Sequence, residues 1–229
     1  MIHLQKNIQS FVIIFIILII GLIAQVYSSV RKGGEREVIQ PILENVYKVL
    51  ATPTPTPFAF QELTIPYLRS RKYTSSLGEM QKISENSSYT SYVTSYDSDG
   101  LKIYGLMTIP TGGPSTNAQD DSRRYPAIIF VHGYIPPQNY QTTVNYVSYV
   151  DYLAKSDLVV FKIDLRGHGN SEGEPGGGYY SSDYVIDTLN AIAVLKNTDF
   201  VNPEAIGLWG HSMAGNVVFR ALGANPGIP

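Results

Sequence analysis

The sequence predicts an α/β fold, a mostly parallel sheet flanked by helices. Pro126–Val131, Leu158–Ile163 and Ala205–Trp209 are short, continuously apolar runs, as in strands buried on both faces. The segments between them have helical periodicity: 144–155, and 183–196 with Val185, Leu189, Ile192 and Leu195 on one face. Strand and helix therefore alternate, the pattern of a parallel sheet covered by helices.

The amino end precedes this pattern and differs from it. Phe11–Ala24 is an uninterrupted run of 14 apolar or glycine residues after a polar start carrying Lys6. That length suits the core of a signal peptide, with Val26-Tyr27-Ser28 as a cleavage site. Lengthened by Ser10 and Gln25–Tyr27 to roughly 18–20 residues, it suits a signal anchor spanning a bilayer, which is the favoured reading. A buried core helix is the third reading, but a core helix seldom lacks polar residues on every face. Residues 1–30 are thus expected to be a transmembrane or signal helix. Arg31, Lys32 and Arg36 outnumber Lys6, so charge bias does not choose the orientation. The expected location is membrane-anchored on the extracytoplasmic face, or secreted if the signal is cleaved.

Residues 31–60 read as a stalk and linker. Ile39, Ile42, Leu43, Val46, Val49 and Leu50 form an apolar stripe at helical spacing. Thr52–Pro57 alternates Thr and Pro, which feeds neither a helix nor a central strand and favours an extended, semi-rigid spacer. Residues 61–88 are a less regular lead-in. Glu62–Tyr67 is strand-like, Leu68-Arg69-Ser70-Arg71 reads as a solvated basic edge, and Asn86-Ser87-Ser88 fits a glycosylation acceptor.

From Tyr89 the chain alternates apolar and polar residues, and 101–109 does so again. Asp97-Ser98-Asp99-Gly100 between them is turn chemistry, so an antiparallel hairpin is expected. The polar stretch 112–124 is best placed in an exposed loop. The chain has 17 basic and 19 acidic residues, with no basic stripe to suit nucleic acid. It has no cysteine, which excludes disulfides and thiolate metal sites, and no metal or organic cofactor is implied.

Three loops fall at the carboxyl ends of the expected strands, where sites of open parallel sheets collect. The third, Gly210-His211-Ser212-Met213-Ala214-Gly215, joins an apolar strand to the helical segment Asn216–Leu222. A serine between small residues at such a bend is a nucleophile elbow: the hydroxyl stands clear of the sheet and faces the first amides of the helix. Ala214 stands where the usual pattern has Gly, a difference of one methyl group. The first loop, His132-Gly133-Tyr134, brings the Tyr134 amide toward the space above Ser212. With the Met213 amide it makes two donors for a developing oxyanion. The second loop, Asp164–Gly173, is a structural turn in which Asp164 and Arg166 are expected to pair. His132, His168 and His211 are read as packing residues, not proton carriers.

Val131-His132-Gly133-Tyr134, Asp164-x-Arg166-Gly167-His168-Gly169-x-Ser171 and Gly210–Gly215, in this order, resemble the α/β-hydrolase superfamily. Within it the likeness is to prolyl oligopeptidase-like serine peptidases and dienelactone hydrolase-like esterases. The resemblance runs from Tyr89 to about Leu222. It implies an α/β-hydrolase fold over 89–229 and a serine hydrolase acting on peptide or small ester substrates through an acyl-enzyme on Ser212. In such enzymes the acid and the histidine follow the nucleophile. Only 17 residues follow Ser212, and none is Asp, Glu or His. The chain is therefore expected to be truncated after the elbow helix, with the catalytic acid and base outside it. The alternatives are a carboxylesterase rather than a peptidase, and a hydrolase-fold module that binds without chemistry. Substrate and oligomeric state are left open.

Overall fold

The computed structural model describes residues 18–25, 27–28, 59–111, 124–225 and 227. The chain divides into two units, Met1–Phe58 and Ala59–Pro229. In the first, residues 18–25 and 27–28 are helical and exposed. No helix among the described residues is long and apolar enough to cross a membrane. The rest of the expected anchor, the stalk stripe, the Thr/Pro linker and the polar loop at 112–123 lie outside the described residues.

In the second unit, a six-stranded sheet comprises β1 (Gln81–Glu85), β2 (Tyr89–Ser98), β3 (Leu101–Pro110), β4 (Tyr125–Val131), β5 (Val159–Ile163) and β6 (Val201–Gly210), ordered β1-β2-β3-β5-β4-β6. β5-β4-β6 is parallel and carries the site; β1, β2 and β3 extend it as an antiparallel wing joined through β3 and β5. The sheet is thus mixed, with its parallel portion where the apolar runs predict it. The β2–β3 hairpin turns on Asp99 and Gly100, both left-handed (φ 51° and 81°), as a two-residue turn with matching twist requires.

Four helices flank the strands: α1 (Ile65–Ser70), α2 (Val147–Ala154), α3 (Asp183–Lys196) and α4 (Met213–Ala224). Strand periodicity divides the core into two layers. Ile129 and Val131 of β4, with Phe161 and Ile163 of β5, join the cluster containing Val185, Leu189, Val217 and Ala221 of α3 and α4. Phe130 and Val160 point the other way, against Val150 and Ala154 of α2. Alternation by two residues along each strand puts successive side chains into opposite layers, which is why these runs are apolar throughout.

Two local expectations are corrected. Glu62–Tyr67 is not a strand: Gln61–Leu63 is a short 3-10 turn, and α1 begins at Ile65. Thr64 caps that helix, its hydroxyl accepting from the Tyr67 amide at 3.3 Å, with Pro66 in the first turn, where its missing N–H costs nothing. Leu68 is fully buried, and Arg69 and Arg71 are engaged rather than merely solvated. Arg69 donates to the Gly223 carbonyl at 2.6 Å, and Arg71 grips Asp99 at 2.6 Å. The second correction is β1, which the sequence reading passed over. All five of its residues are exposed, so it has no hydrophobic alternation to reveal it. Asn86 lies in the turn that follows, its side-chain oxygen accepting from the amides of Ser88 (2.8 Å) and Tyr89 (2.9 Å).

Candidate active site

The carboxyl ends of β4, β5 and β6 lie side by side in the parallel part of the sheet, so the three loops that leave them are neighbours. Ser212, between β6 and α4, has φ 57° and ψ −119°. That backbone is sparsely populated for any residue with a Cβ, and its retention requires support from the surroundings. Support comes from close packing: a Cβ on Gly210 would lie 2.8 Å from Val218 Cγ2 and 2.9 Å from the Ala214 carbonyl oxygen. Glycine is therefore required there. Ala214 is fully buried, so its methyl group fits, whereas Gly215 faces open space and could carry a side chain. Ser212 itself is exposed, and its Oγ makes no hydrogen bond to a described residue.

His132-Gly133-Tyr134 is held against the elbow. A Cβ on Gly133 would lie 2.9 Å from the His211 carbonyl oxygen and 2.6 Å from Tyr146 Oη, so this too is a glycine required by close approach. The Tyr146 hydroxyl accepts from the Gly133 amide at 3.1 Å and is hydrogen-bonded to His211 Nδ1 at 2.9 Å. One phenol thereby ties the two loops together. Tyr146 is left-handed (φ 62°), at the start of α2, with its ring edge-on to Phe130. The sequence reading missed it, because nothing local distinguishes it from the chain's other 16 tyrosines. Tyr134, Ser212 and Met213 line one open cavity of about 550 Å³. The amides of Tyr134 and Met213 have no acceptor among the described residues. For Met213, in the first turn of α4, that follows from helix geometry.

Two of the three described histidines, His132 and His168, are buried packing residues. His132 is fully buried between Tyr140 and His168, with Nδ1 2.8 Å from the Gly133 carbonyl and Nε2 without a partner among the described residues. Burial drives its pKa down to about 3. His168 contacts the carbonyls of Arg166 (3.2 Å) and Ile135 (3.3 Å). His211, expected to fill space beside the strand, is instead exposed and bonded to Tyr146.

Asp164 and Arg166 do not pair with each other. Asp164 shares a sheet face with Lys162, two residues back, and both are fully buried. The Tyr140 hydroxyl accepts from Lys162 Nζ at 2.8 Å and donates to Asp164 at 2.5 Å, while Thr142 donates to the other carboxylate oxygen. Burial pushes the Asp164 carboxyl up and the Lys162 ammonium down. After Ile163 the chain leaves the strand and Arg166 turns toward α3. There its guanidinium bonds Asp187 at 2.7 and 3.0 Å and approaches Asp183 at 3.2 Å. Ser98 also donates to Asp187, at 2.7 Å, so this buried carboxylate links β2, the second loop and α3. Among the described residues no group of acidic or histidine side chains is arranged to hold a metal ion.

Comparisons with known proteins agree at the level of the fold. The family model described as serine aminopeptidase, S33, matches residues 123–228. Uncharacterized protein YfhR of Salmonella typhi is 32% identical over 126 residues, which is 55% of this chain and 38% of that protein. Thiohydrolase aneE of Aspergillus aculeatus is 29% identical over 142 residues, 62% of this chain and 40% of that one. The chain thus spans about two-fifths of the length of these relatives. Acetyl xylan esterase 1 from Thermoanaerobacterium sp. JW/SL YS485 superposes with a TM-score of 0.51 at 19% identity, over 72% of this chain and 53% of that structure. The chain has the α/β-hydrolase fold, and its likeness to that superfamily stands. The matching family model is described by a different name from the prolyl oligopeptidase-like and dienelactone hydrolase-like branch suggested by the motifs.

Proposed function

We propose that the chain is the nucleophile-bearing part of a serine hydrolase. Ser212 Oγ attacks an ester or peptide carbonyl and forms a C–O bond. Its proton passes through a base to the leaving group as the old acyl bond breaks, and water then cleaves the acyl-enzyme. The Tyr134 and Met213 amides take the oxyanion, each typically worth ~10²–10³ in rate. The observation that carries this reading is the strained Ser212 backbone at the turn from β6 to α4, in a cavity that Tyr134 and Met213 also line.

Ester chemistry is favoured over removal of amino-terminal residues. A free α-ammonium group calls for an anionic partner, and among the described residues neither carboxylates nor cationic Lys or Arg side chains line the cavity beside Ser212. The base and its acidic partner are assigned to residues outside the described ones, since none of the three described histidines hydrogen-bonds to Ser212. The same reading tethers the domain on the extracytoplasmic side of a membrane through Phe11–Ala24, support that rests on composition. Resistance of the protein to alkaline extraction from membranes is the expected outcome; release into the soluble fraction counts against tethering.

A serine-directed fluorophosphonate tests the chemistry on the longest product of the gene. Covalent modification that disappears in Ser212→Ala is expected. A folded full-length protein that never labels favours the second reading, a binding module of hydrolase fold, which the unpartnered Ser212 hydroxyl also fits.

A further inference from the structure

We infer that the cavity beside Ser212 selects an uncharged planar aromatic group on the substrate, gripped at the rim by Tyr179 and Tyr180. This rests on Ser212 being the reacting group, because the position of the cavity is defined from it. Tyr134, Pro175, Tyr179, Tyr180, Tyr184 and Met213 supply most of the wall. With neither a carboxylate nor a Lys or Arg among the described lining residues, a charged group entering it would lose hydration without gaining an ion partner from them. The phenol rings among the lining residues suit a flat ring, which gains stacking or edge contacts that a puckered ring of similar size does not.

The rim pair is held in place by more than chance exposure. Tyr180 is left-handed (φ 56°) and 97% exposed, so the core gains nothing from its ring. A glycine would take this backbone without strain, so packing does not impose the ring's place at the cavity mouth. The backbone on both sides is pinned to α4. Asn216 donates to the Gly178 carbonyl at 2.7 Å, and Arg220 donates to the Ser181 carbonyl at 2.5 Å and to Ser182 Oγ at 2.6 Å. Asn216 and Arg220 lie four and eight residues beyond Ser212, on one side of the elbow helix. Gly178 also seats directly on Met213, where a Cβ would lie 2.6 Å from the sulfur. The helix that presents the Met213 amide therefore also fixes the two tyrosines, and the rim keeps a set position relative to the reacting hydroxyl.

The test is a titration of the full chain carrying Ser212→Ala, followed by ligand-observed NMR, with benzamide, benzoate and cyclohexanecarboxamide as probes. Benzamide is expected to bind tightest. Tyr179→Ala and Tyr180→Gly are each expected to weaken it by roughly three- to tenfold while leaving cyclohexanecarboxamide unchanged. Tyr180→Gly removes the ring at a position glycine favours, so folding is preserved. Equal affinity for the three probes overturns the inference, as does benzamide binding that both substitutions leave intact. Fluorophosphonate labelling of the unmodified protein is read separately. Selective benzamide binding without labelling refutes the reacting serine but leaves an aromatic-binding cavity; labelling without selectivity refutes the cavity's preference alone.

Discussion

At the scale of single residues, strain and close approach mark the site more sharply than residue type does. Ser212 and Tyr146 both occupy backbone regions that side chains avoid, and Tyr146 sits where two loops come within hydrogen-bond reach. Tyr146 is the residue whose removal separates positioning from chemistry. Tyr146→Phe keeps the ring against Phe130 but leaves the Gly133 amide and His211 Nδ1 unpaired. The variant should lose only about 1 kcal/mol of stability. If Ser212 reacts as proposed, its labelling should slow by roughly tenfold, because a small displacement of the Tyr134 turn misaligns the proposed oxyanion donors. Stopped labelling with a fluorescent fluorophosphonate, beside thermal melts of both proteins, measures the two effects independently.

At the scale of elements, buried carboxylates organise the loops that the sheet delivers. Asp187 of α3 accepts from Ser98 of β2 and from Arg166, and the Tyr96 hydroxyl donates to its main-chain carbonyl at 2.9 Å. Burial pushes the Asp187 carboxyl up, and the adjacent Arg166 guanidinium opposes that shift. Arg166→Met strands a charge in the core and should destabilise the fold by about 3–5 kcal/mol. Pairing it with Asp187→Leu should restore much of that loss, since both charges then leave together. Urea denaturation of the two variants reads the difference directly. The loop at 175–182 is fixed differently, by Asn216 and Arg220 reaching from α4, so its conformation depends on the elbow helix rather than on its own sequence.

At the scale of the whole molecule, one buried imidazole ties stability to pH. His132 titrates at about 3 in the folded chain, against an ordinary value of 6.5. Between those values the unfolded chain carries the proton and the folded chain does not, so stability falls as pH falls. The contribution is complete above about pH 6.5 and is lost toward about pH 3, with a slope of ~1.4 kcal/mol per pH unit for one proton. His132→Gln removes this dependence, so its denaturation free energy should decline less steeply between about pH 6.5 and about pH 4 than that of the unmodified chain. Parallel slopes for the two proteins would contradict the assignment.

The parallel heart of the fold and the turn that carries Ser212 between β6 and α4 were legible in the chain alone. Strands buried on both faces must be apolar without interruption, and an elbow must have small residues around its serine; both constraints are local and can be read along the chain. Asp183–Lys196 was legible to the residue for the same reason, since its helical stripe and its position between two strands agree. β1 and α1 were not legible. The first has no buried face, and the second is set by a cap and by Arg69 reaching the Gly223 carbonyl, 154 positions away. The partners of Asp164 and Arg166 were likewise decided only by tertiary structure. Both follow the end of β5: Asp164 keeps the sheet face of Lys162 and meets Lys162 and Tyr140, whereas Arg166, two residues further on, meets α3. The Tyr146 clamp belongs with them: it joins residues 133 and 211 through a third at 146, a proximity that only the folded sheet creates.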